Sequence, residues 1–140
     1  VPYDPHLYFE GEETSLALRL FTRGFDIFHI PKIPLFHCYV NNSDQFSRPM
    51  HWNEEEDKNR SIKWVELQRK SKKRIEEIIE GKLKDSFGLG SERSLNDYKD
   101  FSGIDIKHKK IVNPDNAFRF KTLLEKDWTE KLNKKKGFLW

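Results

Sequence analysis

The chain has 140 residues, 36% of them hydrophobic and 35% charged, and its net charge is +3. Eleven Phe, four Tyr and four Trp are more large rings than a disordered chain carries, so wholesale disorder is excluded. A single Cys excludes an internal disulfide framework and a cysteine-cage zinc site, and no apolar run approaches the about eighteen residues that a membrane helix needs.

Composition separates residues 1–52, rich in Pro, rings and apolar runs, from 53–81 and 86–140; residues 53–140 read as a helical extension packed on the first part in one compact unit. In the first part, Leu16, Ala17, Leu20 and Phe21 form the stripe of an amphipathic helix over Glu13 to Arg23, closed by Gly24. Phe25 to Phe28 reads as a short buried strand, and after Pro31 and Pro34 a second extended segment runs from Leu35 to Val40.

Residues 53–81 predict one long helix, with Asn53 as N-cap, Glu54 to Asp57 in the first turn and Gly81 at the end. Ile62, Val65, Ile75, Ile78 and Ile79 recur near helical spacing, and the stripe fades across Gln68 to Lys73, which predicts an exposed middle turn. Gly88-Leu89-Gly90-Ser91 is a turn, not a phosphate loop, because no lysine-plus-hydroxyl follows it. Ser94 with Asp97 predicts a capped short helix that ends at Gly103, and a last helix is expected from about Thr122 to Lys134. From Lys107 onward, ten Lys and Arg face four Asp and Glu, a tail read as a solvated lysine-rich end.

Chemistry concentrates in Phe9-Glu10-Gly11-Glu12-Glu13 and in His37. Paired carboxylates at a helix start have a plain explanation: they complement the positive end of the macrodipole, worth about 0.3–1 kcal/mol each. A lone His on an apolar segment is more often a satisfied core residue than a ligand. Arg48, His51 and Trp52 stand together before the long helix, where they close over a nucleotide or sugar or else staple the helix entrance. His6, His29 and His108 share no ligand spacing, and Cys38 reads as a small buried thiol.

The order Tyr3-Asp4-Pro5, Phe9-x-Gly11-Glu12-Glu13, Arg19-Leu20 before Gly24, Phe25-Asp26 and Phe36-His37-x-Tyr39 resembles the GlcNAc-transferase family. His51-Trp52, Gly88-Leu89-Gly90-Ser91, Leu95-x-x-Tyr98 and Gly103-Ile104-Asp105 extend the resemblance to about Asp105. The family includes cytoplasmic enzymes that place N-acetylglucosamine on a hydroxyproline of an F-box adaptor subunit. The Gly-Glu-Glu to His stretch is also similar to that of the polypeptide GalNAc-transferases.

The resemblance implies an α/β fold: the C-terminal part of a GT-A-like glycosyltransferase, helix-rich with a few short strands and lacking the nucleotide-binding half. Residues 1–52 would be the acceptor side of the catalytic core, with residues 53–140 as a helical extension. It implies a cytoplasmic, retaining transferase that moves a sugar, N-acetylglucosamine by this likeness, from a UDP-sugar to a hydroxyl of a protein or glycan acceptor. Glu12 and Glu13 would be catalytic, orienting the acceptor hydroxyl, or supplying a general base if the reaction inverts. His37 would be a ligand of a divalent metal (Mn²⁺ or Mg²⁺), and Tyr39, Arg48, His51 and Trp52 would bind substrate.

No Asp-x-Asp occurs in the chain, so the remaining metal ligands and the donor site are expected outside it, and this portion alone is expected to be inactive. Val1 stands where a methionine would open a chain, which predicts a processed product or an excised piece. A ragged apolar surface is expected where the missing half belongs. The competing function is a non-catalytic binding module or pseudoenzyme whose basic tail meets an anionic partner. Nucleic acid is not expected, no membrane span is expected, and a homo-oligomer stays open. The sugar-transfer reading requires the turn bearing Glu12 and Glu13 to fold back beside His37.

Overall fold

The computed structural model describes residues 1–28 and 50–117. Along the chain run α1 (Glu12–Thr22), α2 (Glu54–Lys58), α3 (Trp64–Ile79), α4 (Leu95–Ser102), β1 (Ile104–Asp105), β2 (Lys110–Ile111) and α5 (Pro114–Ala117). The described part is helix-rich, with two short antiparallel strands that pair Ile104 with Ile111 and Asp105 with Lys110.

Segment 1–11 is fixed to α3 by buried polar contacts. Asp4 is 4% exposed, and its Oδ2 accepts a hydrogen bond from Nε of Arg74 at 2.8 Å. Its Oδ1 accepts from the His6 backbone amide at 3.0 Å, with the His6 ring 3.1 Å away. The fully buried Ser71 hydroxyl accepts from the Tyr8 amide and donates to the Glu10 carbonyl. Gly11 then opens α1 at φ +90°, and its α-carbon lies against Ile75, where a Cβ would collide with the side chain. Glycine is required there for conformation and for space.

The face that α1 buries differs from the expected stripe. Leu18 and Phe21 are buried, but so are Ser15, Arg19 and Thr22, while Leu16, Ala17 and Leu20 are half-buried. The helix turns its polar side inward because two arginines and one threonine bind the loop at 86–93. Arg19 donates to the carbonyls of Pro2 and Ser86, and its guanidinium lies 5.5 Å from the Phe87 ring centroid. Arg23 donates to the Gly88 and Ser86 carbonyls. Thr22 Oγ1 accepts from the Gly90 amide at 2.8 Å, and the Thr22 carbonyl accepts from the amides of Glu92 and Arg93.

Three expectations are corrected. The helix expected over 53–81 is two helices, α2 and α3. Asp57 accepts from the Trp64 amide at 2.9 Å, and the Lys63 ammonium donates to the carbonyls of Asp57 and Lys58, so the first helix ends and the second begins around one carboxylate and one lysine. Asn53 stands at the N-cap position of α2 without a side-chain cap. Ile62 and Val65 are therefore exposed, and the middle turn of α3 keeps one buried residue, Ser71. Phe25 to Phe28 is not a strand: the Phe25 carbonyl and the Asp26 carboxylate accept from the Arg93 guanidinium, and no strand pairs with this segment among the described residues. The expected strand at Leu35 to Val40 and helix at Thr122 to Lys134 lie outside the described residues.

The helix stops at Gly81 and Gly103 and the Ser94 cap are as expected. Gly81 (φ +68°) follows α3, and the Lys82 amide donates to the Glu77 carbonyl. The Ser94 hydroxyl accepts from the Asp97 amide while Asp97 accepts from the Ser94 amide, an aspartate version of the capping box, and Gly103 ends α4 in the left-handed region. Tyr3, Phe9, Phe25, Trp52, Ile62, Val65, Ile111 and Val112 are exposed apolar side chains.

Burial pulls the Asp4 carboxyl upward, but the hydrogen bonds from Arg74 and His6 and the Arg74 charge outweigh it and hold the group below its ordinary value of 3.8. A depressed folded value contributes stability that is complete above the unfolded value and lost as pH falls through the folded one. Asp4→Asn is expected to lower stability at neutral pH by about 3 kcal/mol. Urea unfolding followed between pH 7 and pH 2 should show a smaller acid loss in this variant than in the wild type. Gly11→Ala is expected to cost about 1–3 kcal/mol, with Ile75→Val in the same chain restoring part of the loss.

Candidate functional site

Between the two backbone contacts that Ser71 makes at Tyr8 and Glu10, Phe9 takes φ +57°, a left-handed conformation rarely adopted by a bulky residue. This bend turns the Phe9 ring outward, 58% exposed, toward the residues just before α2. There it meets the His51 ring edge-on at a centroid distance of 4.5 Å and the Trp52 ring at 5.5 Å. Tyr8 approaches His51 from another side at 5.2 Å, and His51 and Trp52 lie 4.4 Å apart. His51-Trp52 is therefore packed on the N-terminal segment.

Between these rings and α3 lies a cavity of about 300 Å³, walled by Tyr8, Phe9 and Glu10, by His51 and Trp52, and by Trp64 and Gln68. Trp64 and Gln68 are one helical turn apart, which places both on the same side of α3. The Glu10 carboxylate pairs with the Lys72 ammonium at 3.6 Å, and Arg60 donates to the Tyr8 hydroxyl at 3.4 Å. Burial, and secondarily the charge of Arg60, lower the His51 pKa below its ordinary 6.5, so the ring is neutral at neutral pH.

Glu12 and Glu13 occupy the first turn of α1 and are exposed. Among the described residues neither carboxylate has a hydrogen bond or ion pair. Neither lines the aromatic cavity; the carboxylate that does is Glu10, on the other side of Gly11. Of the sequence-derived substrate residues, the structure brings His51 and Trp52 together, while His37, Tyr39 and Arg48 lie outside the described residues. Tyr8, Phe9, Glu10, Trp64 and Gln68 wall the cavity but were not among the sequence-derived site residues. The i, i+4 spacing of Trp64 and Gln68, which puts a ring and an amide on one helix face, was the available signal.

Residues 1–108 match the family model described as Glycosyltransferase (GlcNAc). This chain belongs to the GlcNAc glycosyltransferase family. The matched span holds the cavity, the Glu12-Glu13 turn and the loop clamped by Arg19 and Arg23, and ends within the β1–β2 hairpin. Comparison with curated proteins and with solved structures returned no match. A glycosyltransferase domain implies a sugar donor and an acceptor as partners. No helix among the described residues is long and apolar enough to cross a membrane.

The metal expected for this glycosyltransferase finds no complete site in the described part. Among the described residues no three His, Cys, Asp or Glu side chains converge. His108 and Asp105 form a local pair at 2.9 Å on the β1–β2 hairpin, far too few donors for a cation. These residues do not by themselves fit a divalent ion.

Because Arg60 repels a protonated imidazole, Arg60→Gln is expected to raise the His51 pKa while leaving it below 6.5, since burial persists. Titration of the imidazole Cε1–H signals by NMR checks this, and an unchanged His51 midpoint would remove Arg60 as a cause.

Proposed function

We propose that this family member is a metal-dependent, retaining GT-A-type glycosyltransferase that moves a sugar, N-acetylglucosamine by resemblance, from a UDP-sugar to a hydroxyl on a protein or glycan acceptor. The observation that carries the reading is the family match over residues 1–108 combined with two solvent-facing carboxylates at the head of α1. Their charge also favours the helix dipole, but that contribution of about 0.3–1 kcal/mol each does not require both to stay free of partners. Free carboxylates on a rigid helix start are suited to orient a hydroxyl.

In the proposed reaction the acceptor oxygen forms a bond to C1 of the donor sugar, and the bond from C1 to the diphosphate oxygen breaks. The acceptor proton passes to the departing phosphate oxygen on the same face. Glu12 and Glu13 hold the acceptor hydroxyl on the face of C1 from which the diphosphate departs, so their value lies in positioning. The helix start is fixed in turn by Gly11 against Ile75. Tyr39, Arg48, His51 and Trp52 complete the proposed substrate contacts.

A divalent cation remains part of the proposal through His37, with Mn²⁺ or Mg²⁺ as candidates and its other ligands outside this chain; when bound it would offset the charge of the diphosphate. The same reading places the protein in the cytoplasm, by its likeness to cytoplasmic enzymes.

In the full-length protein, Glu12→Gln and Glu13→Gln are each expected to lower kcat with UDP-N-acetylglucosamine by about 10²-fold or more, with donor KM changed far less. His37→Ala should abolish Mn²⁺-dependent binding of UDP in calorimetry. Wild-type protein that binds no UDP with Mn²⁺ or Mg²⁺ present would overturn catalysis in favour of a non-catalytic binding domain.

A further inference from the structure

We propose that the ring-walled cavity beside Gly11 is a subsite for a neutral pyranose, so that the acceptor of this enzyme is a glycan and Glu10 and Gln68 read its hydroxyls. The assignment of that sugar to an acceptor rests on the transferase reading above; the binding of a pyranose does not.

The chemistry of the walls selects the ligand by elimination. Glu10 places a carboxylate on a surface otherwise made of rings and one amide. A wholly apolar occupant would strip water from that carboxylate without replacing its hydrogen bonds, a costly exchange. A phosphate or other anion would meet the Glu10 charge, which the exposed Lys72 ammonium at 3.6 Å offsets only in part, and would make no use of the rings. A flat nucleobase is best held between parallel rings, but the rings here meet at angles of 78°, 64°, 54° and 82° and form a box, not a slot. A pyranose suits such a box: its C–H faces lie on rings, while its hydroxyls project sideways to carboxylate, amide and imidazole acceptors and donors.

Size agrees. A volume of about 300 Å³ is at the small end for ligand sites and suits one sugar ring with a substituent. The cavity is also held ready. Ser71 fixes the backbone on both sides of Phe9, and Phe9 keeps a strained conformation that presents its ring to His51 and Trp52. Strain of this kind persists where the surroundings enforce it and is concentrated at binding sites. Glu12 and Glu13 start on the far side of Gly11, so a sugar in the cavity would leave its neighbouring residue, not itself, nearest the proposed transfer site.

The test uses the four indole N–H signals of the full chain, assigned by Trp→Phe substitutions, in titrations with methyl N-acetyl-β-glucosaminide, methyl β-glucoside and methyl β-galactoside. At least one glycoside should shift the Trp52 and Trp64 signals to saturation, with Kd roughly millimolar as expected for a single sugar ring. Glu10→Gln and Trp52→Ala should each weaken binding by at least about tenfold, as loss of an anchoring contact does. Trp52 is 41% exposed and Glu10 lies at the surface, so both variants should keep the wild-type far-UV circular dichroism. A variant that loses that spectrum is replaced by Gln68→Leu, which is expected to weaken binding in the same direction.

Absence of any shift with all three glycosides overturns the proposal. Saturating shifts caused instead by uridine or by a proline-rich peptide also overturn it, because they assign the cavity to a donor base or a peptide segment. Saturable glycoside binding by protein without transferase activity supports the subsite and counts against the proposed reaction. Transfer to a glycan acceptor without these shifts does the reverse.

Discussion

A buried carboxylate with one guanidinium partner governs the arrangement of this molecule. Asp4 lies four residues from the start of the chain, Arg74 lies in the second half of α3, and their contact crosses seventy positions of sequence. Once that pair forms, the register between segment 1–11 and α3 is set, because Ser71 lies one helical turn before Ile75 on the same face. Ser71 then meets Tyr8 and Glu10, and Ile75 meets Gly11. The cavity walls and the direction of α1 follow from these contacts. The Asp4 charge would be costly at this depth without the Arg74 guanidinium, so the pair specifies a docking geometry as well as stabilising it.

Many residues that mark the family are tie points in the fold. Asp4 holds α3; Arg19 holds Pro2 and Ser86; Asp26 holds Arg93; and Tyr98 lies edge-on to Phe21 at 5.3 Å. Gly88 and Gly90 let the 86–93 loop approach closely, the first packing on the Leu83 carbonyl and the second on Thr22. A loop with little hydrocarbon of its own is secured by donors from α1. The motif order therefore records in part how segments far apart in sequence are stitched together, and among the described residues the carboxylates of Glu12 and Glu13 stand outside that scaffold.

Local punctuation was legible from the sequence, and long-range polar contact was not. Gly24, Gly81, Gly103 and the Ser94–Asp97 cap act within one turn of their own position, so residue type alone places them. The break between α2 and α3 was missed because Asp57 and Lys63 are ordinary helix residues until their side chains turn back onto the backbone. The inward face of α1 was misread for a related reason: a hydropathy stripe cannot recognise Ser15, Arg19 and Thr22 as interior when their partners lie in a loop some seventy residues away. The aromatic cavity was half legible, His51 and Trp52 from their adjacency and Glu10 only from the bend at Phe9. The family resemblance rested on motif order, and the family match over residues 1–108 bears that out.

The polarity of the interior has a thermal consequence. Among the described residues only Leu18, Phe21 and Ile78 are buried hydrocarbon side chains, while Asp4, Ser15, Arg19, Thr22 and Ser71 share the same depth. Exposing apolar surface raises the heat capacity of unfolding and exposing polar surface lowers it. This part of the molecule should therefore melt with a modest heat-capacity increment, giving a shallow curve of stability against temperature. Chilling would weaken such an interior less than one assembled from oil-like side chains, because little of its cohesion comes from water's reluctance to solvate hydrocarbon.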